Sequence, residues 1–231
     1  MRTTVLVDLY GTLVEPNWAE LLRGRTALAE RAGLAAPAAH HAWEMTHAAR
    51  MRGTYGLLAD DLRAIFSQAS DGRRSAISAR LLSQLAHEER ENWGRGVRLY
   101  PDAMPALSLL RSSGLRLAIV TNASAEAASV VDALGLRHLV DDVFASCEAG
   151  LLKPHLLSVA LRSLGVEASE ATLVDDDPAQ LEAAARLGFR TILVQRFAAG
   201  TSTATTSRHY AVSDLRQLAD ELVRAEPARR R

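Results

Sequence analysis

The sequence predicts an α/β fold: a doubly wound parallel sheet with helices on both faces and an inserted all-helical block. Three observations point to it. The chain opens on a short run, Thr3 to Asp8, rich in β-branched and aliphatic residues and without polar alternation, which is how a strand buried on both faces reads. About 75 residues of nearly unbroken helical periodicity follow, from Asn17 to about Trp93. After Tyr100-Pro101, strand and helix patterns alternate, as in parallel strands joined by crossover helices.

Each element has a local reason. A turn at Tyr10-Gly11-Thr12 follows the first strand, and Pro16-Asn17 marks the next boundary. Asn17, with Glu20 three residues later, resembles a capping box ahead of Leu21, Leu22 and Leu28 on a helical period. Further helices are expected over Pro37 to Arg52, Leu58 to Ser70 and Gly72 to Asn92, punctuated by Gly53, Gly56 and Asp71-Gly72. The alternating half then reads as helix Ala103 to Arg111, strand Leu115 to Thr121, helix Ala125 to Leu134, and a short strand near Val143 to Ser146. Helix Leu156 to Leu164, strand Ala171 to Asp175, helix Ala179 to Leu187, strand Thr191 to Gln195 and a last helix over Asp214 to Arg224 complete it. Ala198 to Ser207 reads as a mobile loop and Arg229-Arg230-Arg231 as a frayed tail.

Composition narrows the function classes. The chain has 231 residues, 48% of them hydrophobic, enough to bury a core without disulfide or metal staples. Its 27 basic residues balance 27 acidic ones, which leaves no electrostatic argument for nucleic acid or an anionic membrane. Cys147 is the one cysteine, so no internal disulfide framework exists, and an acid at position 8 ends any signal-peptide core. A soluble, cytoplasmic, globular protein is the expectation, with oligomeric state left open. Of the basic residues, 26 are arginine and one, Lys153, is lysine. In that background a compact ammonium rather than a planar fork asks for a reason.

In an open parallel sheet, ligands bind outside the carboxyl ends of the strands, so the residues that end each strand carry the chemistry. The first strand ends in Asp8, followed by Leu9-Tyr10-Gly11-Thr12, and the second in Thr121-Asn122. The third leads through Glu148 and Gly150 to Lys153-Pro154, and the fourth ends in Asp175-Asp176-Asp177. Asp8 and Asp176 would repel each other unless a cation lay between them, and oxygen donors suit Mg²⁺. Lysine can balance the remaining charge, Thr121 and backbone N–H groups can hold a further oxygen, and an aspartate so placed can act as a covalent nucleophile.

The order Asp-Leu-Tyr-Gly-Thr-Leu, Val-Thr-Asn, Gly-Leu-Leu-Lys-Pro and Val-Asp-Asp-Asp resembles the four motifs of the haloacid dehalogenase superfamily, over essentially residues 3–222. The helical insert is similar to that superfamily's helical cap. The resemblance implies a Rossmann-like core from residues 1–15 and 97–231 and a cap from 16–96. It implies that Asp8 forms an aspartyl intermediate and that the Tyr10 backbone carbonyl and Asp176 join Asp8 around Mg²⁺. It further implies that Thr121 and Asn122 orient the transferring group and that Lys153 balances the charge on Asp8.

The sequence also departs from the family. Phosphatases of the superfamily usually carry a second aspartate, the general acid and base, where this chain has Tyr10. The Asp-x-Tyr-Gly-Thr form is that of the 2-haloacid dehalogenases, yet those carry serine at the place of Thr121 and a metal-free Ser-x-Asn at the place of Asp175 to Asp177. Gln180 stands where phosphatases often have an acid, and His155-Leu156 replaces the usual Asp-Pro, with a loop that reads about two residues short. A Mg²⁺-dependent phosphatase acting on a substrate with a good leaving group is therefore the leading reading. A dehalogenase and a catalytically degenerate binding protein are the alternatives.

Plainer roles compete at several positions. Asp177 reads as a cap of the helix starting at Pro178. His40, Glu44 and His47 share one helical face and read as a solvated polar face rather than a metal site. Arg50 and Arg52 precede the Gly53 turn; Arg50 is a candidate contact to a substrate anion, although solvent exposure is the simpler expectation for both. Trp18 and Tyr55 read as packing rather than pocket walls. Gly94-Arg95-Gly96 is no dinucleotide fingerprint, because Leu99 takes the third glycine place and no strand precedes it.

Overall fold

The computed structural model describes residues 3–70, 77–196 and 209–229, with side chains as far as Arg224. In chain order the elements begin with β1 (Thr4–Val7) and β2 (Val14–Pro16), then helices α1 (Trp18–Arg31), α2 (Ala36–Met51), α3 (Leu58–Ala69) and α4 (Ala79–Gly96). They continue through β3 (Val97–Leu99), α5 (Ala103–Ser112), β4 (Arg116–Thr121), α6 (Ala127–Ala133), β5 (Asp142–Ala145), α7 (Ser146–Ala149) and α8 (His155–Leu164). The chain closes with β6 (Ala171–Asp175), α9 (Pro178–Arg186), β7 (Arg190–Val194), β8 (Tyr210–Val212) and α10 (Leu215–Arg229).

Six strands form one sheet in the order β5-β4-β1-β6-β7-β8, every pairing parallel. β1 lies at the centre, with Val7 level with Ile119 on one side and Val174 on the other. After β1 the chain builds outward through β4 and β5, then returns across β1 to add β6, β7 and β8. The carboxyl ends flanking β1 are thus the place where the winding direction reverses and a crevice opens.

The strands read as unbroken apolar runs because each face has its own helical layer. Val5 and Val7 pack with Leu107 and Leu110 of α5 and Leu218 and Leu222 of α10. Leu6 points the other way, into Leu156, Leu157 and Ala160 of α8 and Leu181 and Ala184 of α9. Each such large side chain, taken fully out of water, contributes roughly 1.5–3 kcal/mol before conformational entropy is counted. The four helices between β2 and β3 carry a separate core, in which Leu28, Trp43, Leu62, Ile65, Phe66, Leu82 and Leu85 are buried together.

Local signals place the ends of these elements. The Asn17 side chain accepts the Glu20 N–H at 3.2 Å and caps α1. Asp177 accepts the Ala179 N–H at 2.8 Å ahead of Pro178, so its capping role holds. α8 starts directly at His155, which accounts for the apparently short loop after Lys153-Pro154.

Several expectations need correction. β2 and β3 form a two-stranded antiparallel ribbon where the chain leaves and re-enters the sheet region; at three residues each they are too short for a periodic signal. β8 is an edge strand of the same length, also not foreseen. The described part of the fourth helix starts at Ala79 rather than Gly72, the helix expected at Ala125 starts at Ala127, and Ser146 opens α7 instead of ending β5. The turn at Asp71-Gly72, the proposed loop Ala198 to Ser207 and the last two residues of the arginine tail lie outside the described residues.

Candidate active site

Asp8 follows β1 at the sheet centre, and its backbone N–H continues the ladder to Val174 O at 2.9 Å. Asp175 is the last residue of β6, one strand over, so the parallel register brings the two carboxyls to the same edge. The Lys153 ammonium lies between them, donating to Asp8 Oδ1 and to Asp175 Oδ2, each at 2.7 Å, with all three residues buried. Asn122 Oδ1 accepts the Lys153 backbone N–H at 2.9 Å, tying the end of β4 to the start of the lysine segment. Thr121, the last residue of β4, is buried beside it, with 1% of its surface exposed.

Asp176 completes an acidic cluster. One oxygen each from Asp8, Asp175 and Asp176 lie within 4.8 Å of one another. Thr12 Oγ1 donates to Asp176 Oδ1 at 3.3 Å. Gly11, at φ +83°, passes so close that an added Cβ would stand 2.2 Å from Asp176 Oδ2, so this turn tolerates no side chain.

The electrostatics follow from burial. Loss of water pushes the Asp8 carboxyl up to about 7; Lys153 opposes the rise, and the charges of Asp175 and Asp176 add to it. Burial likewise raises Asp176, with Asp175 next in importance. Burial works against the Lys153 charge, but Asp8 and Asp175 outweigh it and hold the ammonium above its ordinary range. Three carboxylates against one ammonium leave two negative charges, all on hard oxygen donors, and a divalent cation such as Mg²⁺ fits that donor set.

A cavity of about 490 Å³ lies between the helical block and the segments that follow β1 and β4; Asp8, Lys153, Asp175 and Asp176 are not among its lining residues. Its sheet-side wall contains Tyr10, two residues after Asp8, with Asn122 and Leu152, which adjoin Thr121 and Lys153, and its helical wall contains Trp18, Arg25, Arg50 and Trp93. The Tyr10 ring packs 5.6 Å from that of Trp93. Burial, with Glu126 and Asp8 adding, raises the Tyr10 phenol well above its ordinary value. At neutral pH this group can donate a proton but cannot serve as a base.

The sequence-predicted residues fall into place unevenly. Asp8, Lys153, Asp176, Tyr10, Thr121 and Asn122 gather at one sheet edge. Arg50 is a correction to the expected solvent exposure. It is 6% exposed, donates to Ser124 Oγ at 3.2 Å and to the Trp43 carbonyl at 3.0 Å, and so joins the helical block to the sheet. Arg52 is exposed as expected, although both arginines line the cavity. Trp18 is a second correction, since it is 62% exposed at the cavity wall. Tyr55 is half-buried and is not a cavity wall. Glu44 and His47 are solvated as expected, whereas His40 is half-buried beside Thr26 Oγ1 at 3.1 Å; the three form no metal cluster among the described residues.

Two residues of the candidate site escaped the sequence reading. Asp175 was assigned no partner, although its strand-end position next to Asp176 carried the signal. Arg25 gave no local signal; its guanidinium sits over Trp43 at 5.4 Å and Trp93 at 5.6 Å, a contact only folding creates.

Comparison with known proteins gives the family and the fold. A family model for haloacid dehalogenase-like hydrolases matches residues 3–188. The chain is 31% identical over 202 residues to a phosphoglycolate phosphatase of Rhodospirillum rubrum, covering 84% of this chain and 80% of that one. It is 37% identical over 123 residues to a phosphoserine phosphatase of Thermus thermophilus, covering 51% and 47%. Among solved structures, a 2-haloacid dehalogenase from Pseudomonas syringae pv. Tomato DC3000 superposes with a TM-score of 0.71 at 25% identity, over 97% of this chain and 99% of that one. A phosphatase from Thermococcus onnurineus shares the fold, with a TM-score of 0.63 at 20% identity over 96% and 98%.

Proposed function

The chain belongs to the haloacid dehalogenase-like hydrolases, and from that premise we propose that it is a Mg²⁺-dependent phosphatase acting on a small phosphorylated metabolite through an aspartyl intermediate at Asp8. The core is residues 1–15 and 97–231, and the cap is residues 16–96. The observation that carries the reading is the Asp8–Lys153–Asp175 arrangement, with Asp176 alongside, while their chain neighbours Tyr10, Asn122 and Leu152 line a cavity against the helical block. The similar phosphatases, two of which are described as acting on phosphoglycolate and phosphoserine, support a small phosphorylated substrate.

Asp8, Asp176 and the Tyr10 carbonyl would hold Mg²⁺, which supplies charge neutralisation for the phosphoryl oxygens when bound. An Asp8 oxygen attacks phosphorus while the bond to the leaving oxygen breaks, leaving a phosphoaspartyl group and the departing phenoxide, carboxylate or alkoxide, which takes its proton from water. Water then attacks the same phosphorus, freeing inorganic phosphate and restoring Asp8. Lys153 favours the ionised form of Asp8 and aligns it, and Thr121 and Asn122 orient the phosphoryl oxygens. Arg50 lines the substrate side of the cavity. Tyr10 stands where an acid would protonate the leaving group, so substrates with good leaving groups, such as acyl, aryl or anomeric phosphates, are favoured. No described helix is long and apolar enough to cross a membrane.

A second reading rests on Tyr10 and on the dehalogenase superposition, namely displacement of halide from a 2-haloacid by the same aspartate. A release screen with and without Mg²⁺, with Asp8→Asn as blank, separates the two. Phosphate release from aryl phosphates that needs Mg²⁺ and vanishes in the blank supports the phosphatase. Halide release from 2-chloropropionate that persists in EDTA replaces it with the dehalogenase. Neither activity leaves a binding protein.

A further inference from the structure

We propose that Arg196 is a positioning residue for Asp176, acting through Thr12; the inference rests on the metal-dependent reading above. Arg196 lies just beyond β7, two strands from β1, and makes no contact with the acidic cluster. Its guanidinium instead joins three segments. One nitrogen donates to both Asp102 oxygens, at 2.9 and 2.7 Å, and the other donates to the Thr12 carbonyl at 2.5 Å. The guanidinium carbon stands over the Tyr100 ring, 3.9 Å from its centre. Asp102 is itself fixed, because it accepts the Leu215 N–H at 2.6 Å at the start of α10. The Arg196–Asp102 pair is more than nine-tenths buried, which strengthens its hydrogen bonds relative to a surface pair.

What this clamp holds is the turn between β1 and β2. The Thr12 carbonyl points to Arg196 while its hydroxyl donates to Asp176 Oδ1. The same residue therefore faces the clamp with its backbone and the acidic cluster with its side chain. Asp176 is the exposed member of that cluster. Among its described contacts, the Thr12 hydroxyl and the bare backbone of Gly11 define where its carboxylate sits. A shift of the turn by a few tenths of an ångström moves both. Partners behind a ligating carboxylate tune its orientation, and their loss typically costs 10–100-fold in metal affinity.

The fork shape is required. A lysine ammonium at position 196 could reach Asp102 or the Thr12 carbonyl but could not stand over Tyr100 and bond both.

The test is calorimetric titration of Mg²⁺ into metal-free protein, with the melting temperature of the metal-free protein recorded in parallel. Arg196→Met is expected to weaken Mg²⁺ binding about tenfold while the protein stays folded. Thr12→Val, which keeps the carbonyl and loses the hydroxyl, is expected to show the same loss, and Thr12→Ser to retain the wild-type affinity. A merely structural arginine would lower the melting temperature and leave affinity unchanged, and that result overturns the proposal, as does wild-type affinity in Thr12→Val. If Arg196→Met does not fold, Arg196→Lys and the Thr12 pair decide by the same criterion. Wild-type protein that takes up no Mg²⁺ overturns the metal-dependent reading and this inference together. Wild-type uptake with an indifferent, folded Arg196 variant overturns this inference alone.

Discussion

The Lys153 ammonium stands 2.7 Å from Asp8 Oδ1, with both side chains almost wholly removed from water. The same nitrogen is 2.7 Å from Asp175 Oδ2, so one point charge serves two carboxylates on adjacent strands. In a chain with 26 arginines, this is the position where a compact, tetrahedral donor fits and a planar fork does not. Lys153→Arg should therefore stay folded by circular dichroism yet lose about 10²–10³-fold in turnover, the scale seen when one preorganised donor is removed. Turnover within a factor of a few of wild type would show that charge alone matters there.

Tyr10 makes a second prediction. Its phenol is raised by burial and by Glu126 and Asp8, so it is no general base at neutral pH. Rates across a series of phosphate esters should fall steeply as the leaving-group pKa rises. Tyr10→Asp should raise alkyl phosphate hydrolysis by up to about 10²–10⁴-fold, the usual contribution of a positioned acid. Equal rates on aryl and alkyl esters would contradict the assignment.

Asp61 on α3 gives a pH dependence. It is 1% exposed, and neither carboxylate oxygen makes a hydrogen bond of ordinary geometry. Burial pushes its carboxyl from 3.8 up to about 7, against the pull of Arg50 and with a further push from Glu126. The folded state thus holds a proton that the unfolded chain releases between about pH 4 and 7. Stability from this group falls as pH rises through that window and is level above it. Asp61→Asn should flatten the slope and raise the melting temperature at pH 8 by a few degrees, since each kcal/mol is worth about 2–4 °C in a chain of this size. An unchanged slope in thermal melts from pH 4 to 8 would remove Asp61 as its source.

The turn after α2 docks on α7, just past the end of β5. Ser146 Oγ donates to the Met51 carbonyl at 2.6 Å, and a Cβ on Gly53, at φ +62°, would stand 1.8 Å from the Cys147 carbonyl oxygen. Gly53→Ala is expected to push the helical block away from the sheet, costing on the order of 1–3 kcal/mol and raising KM more than it lowers kcat. Kinetics with both parameters unchanged would show that this contact does not set cavity geometry.

Much of the fold was legible because its signals are local. The unbroken apolar run at Thr3 to Asp8, the cap at Asn17 and the Asp177-Pro178 helix start can each be read within a few residues, and each appears in the structure. The ribbon of β2 and β3 was not legible, because three residues carry no period and their pairing spans the whole helical insertion. Arg50 was misjudged for a related reason: its burial depends on Ser124, 74 positions away, which no helical pattern reports.

From the sequence alone came the identity of the strand ends, and with it the chemistry available to the site: aspartates, a hydroxyl, an amide and the one lysine, each following an apolar run that had to be a buried strand. Tertiary structure alone decided which of those groups touch. Asp8, Lys153 and Asp175 are separated by 145 and 22 positions, and they meet because the parallel register of β1 and β6 carries two strand ends to one edge while the turn after α7 delivers the lysine between them. Composition can supply an ion pair's members. Desolvation and distance, which set its strength, exist only once the sheet has closed over it.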